Sequence, residues 1–156
     1  MNELHHHWMQ HCLILALKAF ESGNPPVGSV LVQGDVLLGE GIEAGKTHQD
    51  ITYHAEIEAI RDAVRKSGQK YFPEAILYTT HEPCMMCSYV IRHHRIGAVV
   101  MGIKVPEIGG FSSKYPILKA TDIRIWAGPP TVIEGILAED CWALQQAYIQ
   151  QNQSKK

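Results

Sequence analysis

The sequence predicts an α/β protein in three layers, a central sheet with helices on both faces. Three observations carry that reading. The chain is 156 residues long, about one domain. Its 46% hydrophobic and 19% charged residues supply a core and an ordinary solvated surface. β-rich runs also alternate along it with segments of helical period, the pattern of a layered α/β domain. No linker or internal repeat divides it, so residues 1–156 are expected to form a single domain.

The elements follow in order. Leu4 to Glu21 places Leu4, Trp8, Leu15 and Ala19 on one helical face, and Ser22-Gly23-Asn24-Pro25-Pro26 stops that helix. His5-His6-His7 lies inside this periodicity and is read as native helix. Val27 to Val32 and Val36 to Leu38 flank Gln33-Gly34-Asp35, a hairpin signal. Gly39 to Asp50 reads as strand end and loop. A second helix runs from His54 to Ser67-Gly68, with Ala55, Ile57, Ala59, Ile60, Ala63 and Val64 at helical spacing. Ala75 to Thr79 is a short strand. Pro83, well suited to the start of a helix, opens Cys84 to His94. Ile96 to Met101 and Ile123 to Trp126 are expected strands. An amphipathic helix starting near Glu134 or Ala138 ends by Gln150, and Gln151 to Lys156 reads as a frayed tail. The Gly- and Ser-containing stretch from Lys104 to Lys114 is too long and irregular for a plain connection and is expected to border a site.

Composition excludes several function classes. Fourteen Lys+Arg against 16 Asp+Glu give a formal charge of -2, so there is no global positive excess to hold a polyanion. The N-terminus has no basic region leading into an apolar run and cleavage site, and no apolar stretch reaches the ~20 residues that span a bilayer. A cytoplasmic setting without membrane contact is therefore expected. In a reducing compartment Cys84-Met-Met-Cys87 reads as metal or redox chemistry before it reads as a structural disulfide.

The chemistry concentrates in two short pieces, His54-Ala55-Glu56 and Pro83-Cys84-Met85-Met86-Cys87, each opening a helix. One His and two Cys are three soft zinc ligands. Structural zinc usually takes four protein ligands, whereas catalytic zinc keeps one position for water, so three ligands with a carboxylate nearby favour Zn²⁺ catalysis. Cys84 and Cys87, at i and i+3, share a helix face, and a helix N-terminus favours the thiolate that zinc requires. His54 and Glu56 would diverge in mid-helix but can converge where a helix begins. Alone, the C-x-x-C also fits a thioredoxin-like dithiol, and the His and the Glu each fit a helix-end role; joint occurrence favours the metal. Cys12 and Cys141 have no such company and read as small buried residues.

H-x-E followed by P-C-x-x-C is the signature of zinc nucleobase deaminases, and the chain resembles the cytidine deaminase-like superfamily. The likeness is carried by Pro26-Val27-Gly28-Ser29-Val30-Leu31-Val32, His54-Ala55-Glu56-Ile57, Leu77-Tyr78-Thr79-Thr80 and Glu82-Pro83-Cys84-Met85-Met86-Cys87. Weaker matches at Trp8-Met9-Gln10-His11 and Glu134-Gly135-Ile136-Leu137-Ala138 extend it to both ends. It is nearest the branch of guanine deaminase, cytosine deaminase and tRNA-specific adenosine deaminase. The resemblance implies an α/β/α fold with a mixed sheet of about five strands, zinc held by His54, Cys84 and Cys87, Glu56 as catalytic proton shuttle, and a homodimer. It also implies substrate contacts from Val27, Glu43, Ala55 and Phe111, with strand packing or core packing the plain alternatives for Val27 and Phe111.

Two positions depart from that branch. Glu43 stands eleven residues before His54, where most members carry Asn; an ionised carboxylate only accepts hydrogen bonds. His81 stands where an apolar or small residue is usual, and reads equally as pocket wall or turn residue. The C-terminal segment Gln145 to Lys156 has no Arg, whereas RNA-editing relatives use Arg-rich C-terminal helices to hold phosphates. With the net charge, Glu43 and Phe111, this favours a small-molecule aminated base as substrate, hydrolysed with release of ammonia, over the tRNA-adenosine alternative. A non-catalytic zinc-stabilised interaction module is the third reading.

Overall fold

The computed structural model describes residues 2–155. Eleven elements follow one another: α1 (Asn2–Glu21), β1 (Gly28–Gln33), β2 (Val36–Ile42), α2 (Gly45–His48), α3 (Ala55–Ser67), β3 (Ile76–His81), α4 (Met85–His93), β4 (Ala98–Ile103), a 3₁₀ turn at Ile117–Lys119, β5 (Thr131–Ile133) and α5 (Ala138–Gln153). The sheet order is β2-β1-β3-β4-β5. β1 runs antiparallel to both β2 and β3, while β3, β4 and β5 are parallel, so the sheet is mixed and five-stranded as expected.

Side-chain alternation divides the core into two layers. On one face Leu31, Leu77 and Val99 pack with Ala59, Ile60 and Ala63 of α3 and Ile91 of α4. On the other, Val30, Val32, Tyr78 and Val100 pack with Trp8, Met9, Cys12 and Leu15 of α1 and Cys141 of α5. Cys12 and Cys141 are thus buried packing residues. α3 lies unusually close to β2, because Gly39 and Gly41 present no side chain to it. A Cβ on Gly41 would stand 2.5 Å from the Ala55 carbonyl oxygen, and one on Gly39 would collide with that of Ala59. This close approach, invisible to hydrophobic patterning, accompanies a strand end that lies at Ile42, within the stretch read as strand end and loop.

Two expected elements are corrected. Ile123 to Trp126 is not a strand: Ile125 is 69% exposed, and the segment turns so that Trp126 folds back on α4. Its indole lies edge-on to Tyr89 and 4.9 Å from the Arg92 guanidinium. The fifth strand is instead Thr131–Ile133, which starts directly after Pro129-Pro130 and pairs with β4 from Thr131↔Ala98. The segment expected to fray from Gln151 is helical to Gln153, since no Gly or Pro interrupts it, and Asn152 Nδ2 donates to the Tyr148 carbonyl. Among the described residues no helix is long and apolar enough to cross a membrane.

The strand directions create the site. The N-terminal end of β1 lies beside the C-terminal ends of β2 and β3, with Gly28 paired to Ile42 and Ser29 to Thr79. The helices α3 and α4 both begin on that edge.

Candidate active site

Both ligand-bearing motifs sit at helix starts. His54 is the N-cap of α3 with extended backbone (φ −83°, ψ 147°), and Cys84 is the N-cap of α4 (φ −68°, ψ 176°). An extended N-cap turns its side chain off the helical register, which is how His54 and Glu56 come to face one another two residues apart. Cys84 Sγ accepts the Cys87 N–H at 3.5 Å, the usual N-cap bond made by sulfur. The α4 N-terminus therefore directs partial positive charge at the Cys84 sulfur.

His54 Nδ1 lies 3.5 Å from Cys84 Sγ and 3.4 Å from Cys87 Sγ. A tetrahedral zinc with ordinary Zn–N and Zn–S bonds separates N and S ligands by about 3.6 Å, so the three donors are already spaced for that ion. Among the described residues they are the one His/Cys/Asp/Glu group whose ligand atoms converge on a common point, all lying within 4.8 Å of one another. Neither Cys12 nor Cys141 joins them. That leaves three protein ligands and an open fourth position, and weighs against a closed structural site.

Without a metal these donors share protons. The Cys87 thiol and the His54 ring hydrogen-bond to Cys84 and hold its thiol down at about 4. The Cys84 bond pushes His54 up to about 9, and the neighbouring thiolate with burial pushes Cys87 well up. A divalent cation is the natural replacement for those shared protons, since it binds both sulfurs as thiolates and the imidazole as a neutral ring.

Glu56 lies behind them, 3% exposed. Its Oε1 accepts from the Thr79 hydroxyl at 3.1 Å and its Oε2 is 3.6 Å from Cys87 Sγ. Burial, reinforced by the Cys84 charge, raises its carboxyl to about 7, against the pull of its own backbone N–H, His54 and Thr79. A carboxyl balanced near neutrality both takes and gives a proton, the property a proton shuttle needs.

A cavity of about 190 Å³ opens above these groups, lined by Pro25, Val27, Glu43, His81, Val105 and Ile108 together with His54, Glu56, Glu82 and Cys84. Larger surface clefts exist, up to about 550 Å³, but none contains the ligand triad. The Glu43 N–H donates to the Val27 carbonyl, which brings both expected contacts to the rim, and burial raises the Glu43 carboxyl. Ala55 is fully buried beneath them as the first residue of α3. Phe111 is a correction: its ring is absent from the cavity and packs against the core cluster of Leu31, Ile91 and Leu118, with the Lys119 ammonium 4.3 Å from its centroid. The cause is Glu82, which draws the Lys104 to Lys114 loop inward by accepting from the N–H groups of Val105, Phe111 and Ser112 and from the Ser112 hydroxyl. That bond from Phe111 fixes the backbone and turns the ring to the core. Thr79 and Glu82 went unassigned from sequence, although both lie within the quoted motif segments.

Residues 2–103 match the cytidine and deoxycytidylate deaminase zinc-binding region. The chain belongs to this deaminase family. It is a zinc-dependent hydrolytic deaminase, with His54, Cys84 and Cys87 the group able to bind the metal. The tRNA-specific adenosine deaminase of Streptococcus pyogenes serotype M1 is 33% identical over 150 residues, 96% of this chain and 86% of that protein. Among solved structures, a tRNA:A34 deaminase that edits adenosine to inosine at the wobble position of transfer RNA superposes with a TM-score of 0.82 at 30% identity. That superposition covers 88% of this chain and 98% of the other. Guanine deaminase from Bacillus subtilis is 33% identical but covers only 63% of each chain, with a TM-score of 0.60.

These findings overturn the expectation of a free nucleobase or other small-molecule aminated base. Net charge misled because it averages over the whole surface. In this deaminase Arg61, Arg65 and Lys66 pair with Glu58 and Asp62, Lys104 pairs with Glu134, and Arg92 is buried on the carbonyls of Ile117 and Ala127. Much of the counted charge is internal bookkeeping of one helix, and none of it reports what stands at the cavity mouth.

Proposed function

We propose that the chain is a tRNA adenosine deaminase that converts adenosine to inosine in an anticodon loop. The observation that carries this reading is the end-to-end likeness to tRNA-editing deaminases, together with a site that keeps the deaminase triad and acid–base group intact. Residues 1–156 act as one catalytic domain, and the four free cysteines suit the reducing cytoplasm.

His54, Cys84 and Cys87 would hold zinc. When bound there the ion supplies Lewis acidity and makes a water acidic enough to lose a proton near pH ~7. Glu56 takes that proton and delivers it to N1 of the purine as the C6–O bond forms. The hydroxyl proton then passes through Glu56 to the exocyclic amine, the C6–N bond breaks, and ammonia leaves with the C6 carbonyl in place. Thr79 holds Glu56 Oε1, leaving Oε2 to exchange protons. Val27, with Pro25 beside it, offers an apolar wall to the base, and Glu43 faces it as an acceptor; the backbone of Ala55, between His54 and Glu56, is assigned to its polar edge.

A homodimer is part of the proposal. Tyr89 is half exposed on α4, stacked on His93 and edge-on to Trp126, and Ile123 and Ile125 of the segment leading to Trp126 are exposed, apolar surface suited to a second copy. Sedimentation of the zinc-loaded protein tests this. For activity, a transcribed anticodon stem-loop bearing a wobble adenosine yields inosine; absence of both RNA binding at low salt and inosine counts against the reading.

A further inference from the structure

His81 closes one side of the cavity and is joined to a helix 64 residues further along the chain. Its Nε2 lies 3.0 Å from Oε1 of Gln145 on α5, and its Nδ1 lies 3.1 Å from the Thr80 hydroxyl. Thr80 Oγ1 in turn accepts the Gly28 N–H at 3.3 Å. A proton arrangement that engages both ring nitrogens has Gly28 N–H donating to Thr80, the Thr80 hydroxyl donating to Nδ1 in preference to the more distant Pro26 carbonyl at 3.4 Å, and Nε2–H donating to Gln145. The ring is then neutral, which burial also favours. With both nitrogens engaged, the surface that His81 gives the cavity is carbon, beside the apolar walls of Val27, Val105 and Ile108.

We propose that His81 is a specificity-determining aromatic wall for the planar base, and that Gln145 is the positioning residue that sets its ring. The C-terminal helix thereby becomes part of the pocket without touching the substrate. A free histidine ring rotates and can turn a polar nitrogen toward the base; held at both ends, it presents one flat face. Stacking of a base on an aromatic ring contributes enough to change affinity by about tenfold or more. The inference rests on the cavity being the substrate pocket and is independent of which aminated base fills it.

The test joins spectroscopy to kinetics on the zinc-loaded full chain. Nitrogen-15 NMR of the histidine rings at neutral pH shows His81 as a single Nε2–H tautomer in the wild type and in Gln145→Glu, which keeps the acceptor, and as a tautomer mixture in Gln145→Leu. In kinetics on a wobble-adenosine stem-loop, Gln145→Leu raises KM about tenfold with kcat little changed, Gln145→Glu restores it, and His81→Phe keeps most of the wild-type KM. In the His81→Phe background Gln145→Leu has no further effect. A wild-type His81 that is cationic or carries its proton on Nδ1, or a Gln145→Leu loss of equal size in both backgrounds, overturns the proposal. The NMR arm needs no substrate, so failure of the RNA reading and failure of this one are told apart.

Discussion

Replacing Thr79 by Val removes one hydroxyl and nearly nothing else. Thr79 is fully buried and its Oγ1 donates at 3.1 Å to Glu56 Oε1. A hydrogen bond to a charged group contributes about 1.5–3 kcal/mol, and one pKa unit corresponds to about 1.4 kcal/mol. Since the lost bond favoured the carboxylate, the Glu56 pKa rises, by about one unit or more. In the metal-free protein this takes the group from about 7 to about one unit higher; a zinc ion beside it lowers both values, so what carries over to the loaded enzyme is the gap of about one unit, which cuts the ionised fraction about tenfold well below the limb and hardly at all well above it. The assay is kcat/KM for inosine formation across pH. The acidic limb of Thr79→Val moves about one unit to higher pH, with a deficit of up to about tenfold on the acidic side that closes on the alkaline side. A uniform loss at every pH, with the limb unmoved, would refute the role given to Thr79 and the placement of Glu56 as the base.

Three further outcomes follow from the same geometry. Burial raises Glu56 from 4.5 to about 7, so the unfolded chain gives up this proton first and stability falls as pH rises between those values. Metal-free Glu56→Gln is therefore more stable than metal-free wild type by up to about 3 kcal/mol at pH 8 and gains nothing below pH 4.5; an equal gap in urea melts at both pH values contradicts this. Cys84→Ser and His54→Ala each purify with far less than one zinc per chain, and chelation lowers the wild-type melting temperature but not theirs; elemental analysis and calorimetry check both. Glu82→Ala orphans three backbone N–H donors of the Val105 to Ser112 stretch, costs about 3 kcal/mol or more, and makes that loop the first site of limited proteolysis; unchanged cleavage would show that the loop holds itself.

The zinc triad was legible in the sequence because its spacing is local. His54 and Cys84 each precede a helix, and the cap conformation that turns their side chains inward follows from that position alone. The layered fold was legible for a similar reason, since β1, β3, β4 and the covering helices each carry their own periodicity. What escaped depends on contacts between distant segments. Ile123 to Trp126 has the composition of a strand, but Trp126 finds Tyr89 and Arg92, and the strand position beside β4 goes to Thr131–Ile133. Phe111 has the composition of a pocket aromatic, but Glu82 pins its backbone and sends the ring to the core. Gly39 and Gly41 look like loop residues until α3 is seen crossing them. The substrate escaped for a physical reason too: a count of charges carries no positions, and pairing along α3 neutralises several of those counted.

The most direct test of the central claim is inosine in RNA. Zinc-loaded wild-type protein and Glu56→Ala, matched for zinc content, are incubated with a transcribed tRNA bearing adenosine at the wobble position, and nucleosides are quantified after digestion. The account predicts stoichiometric conversion to inosine with one ammonia per event in the wild type, and a rate lower by about 10²–10⁴ or more in Glu56→Ala. Turnover retained in Glu56→Ala would contradict the assignment of the acid–base group. An inert wild type with full zinc and a bound tRNA would contradict adenosine deamination itself.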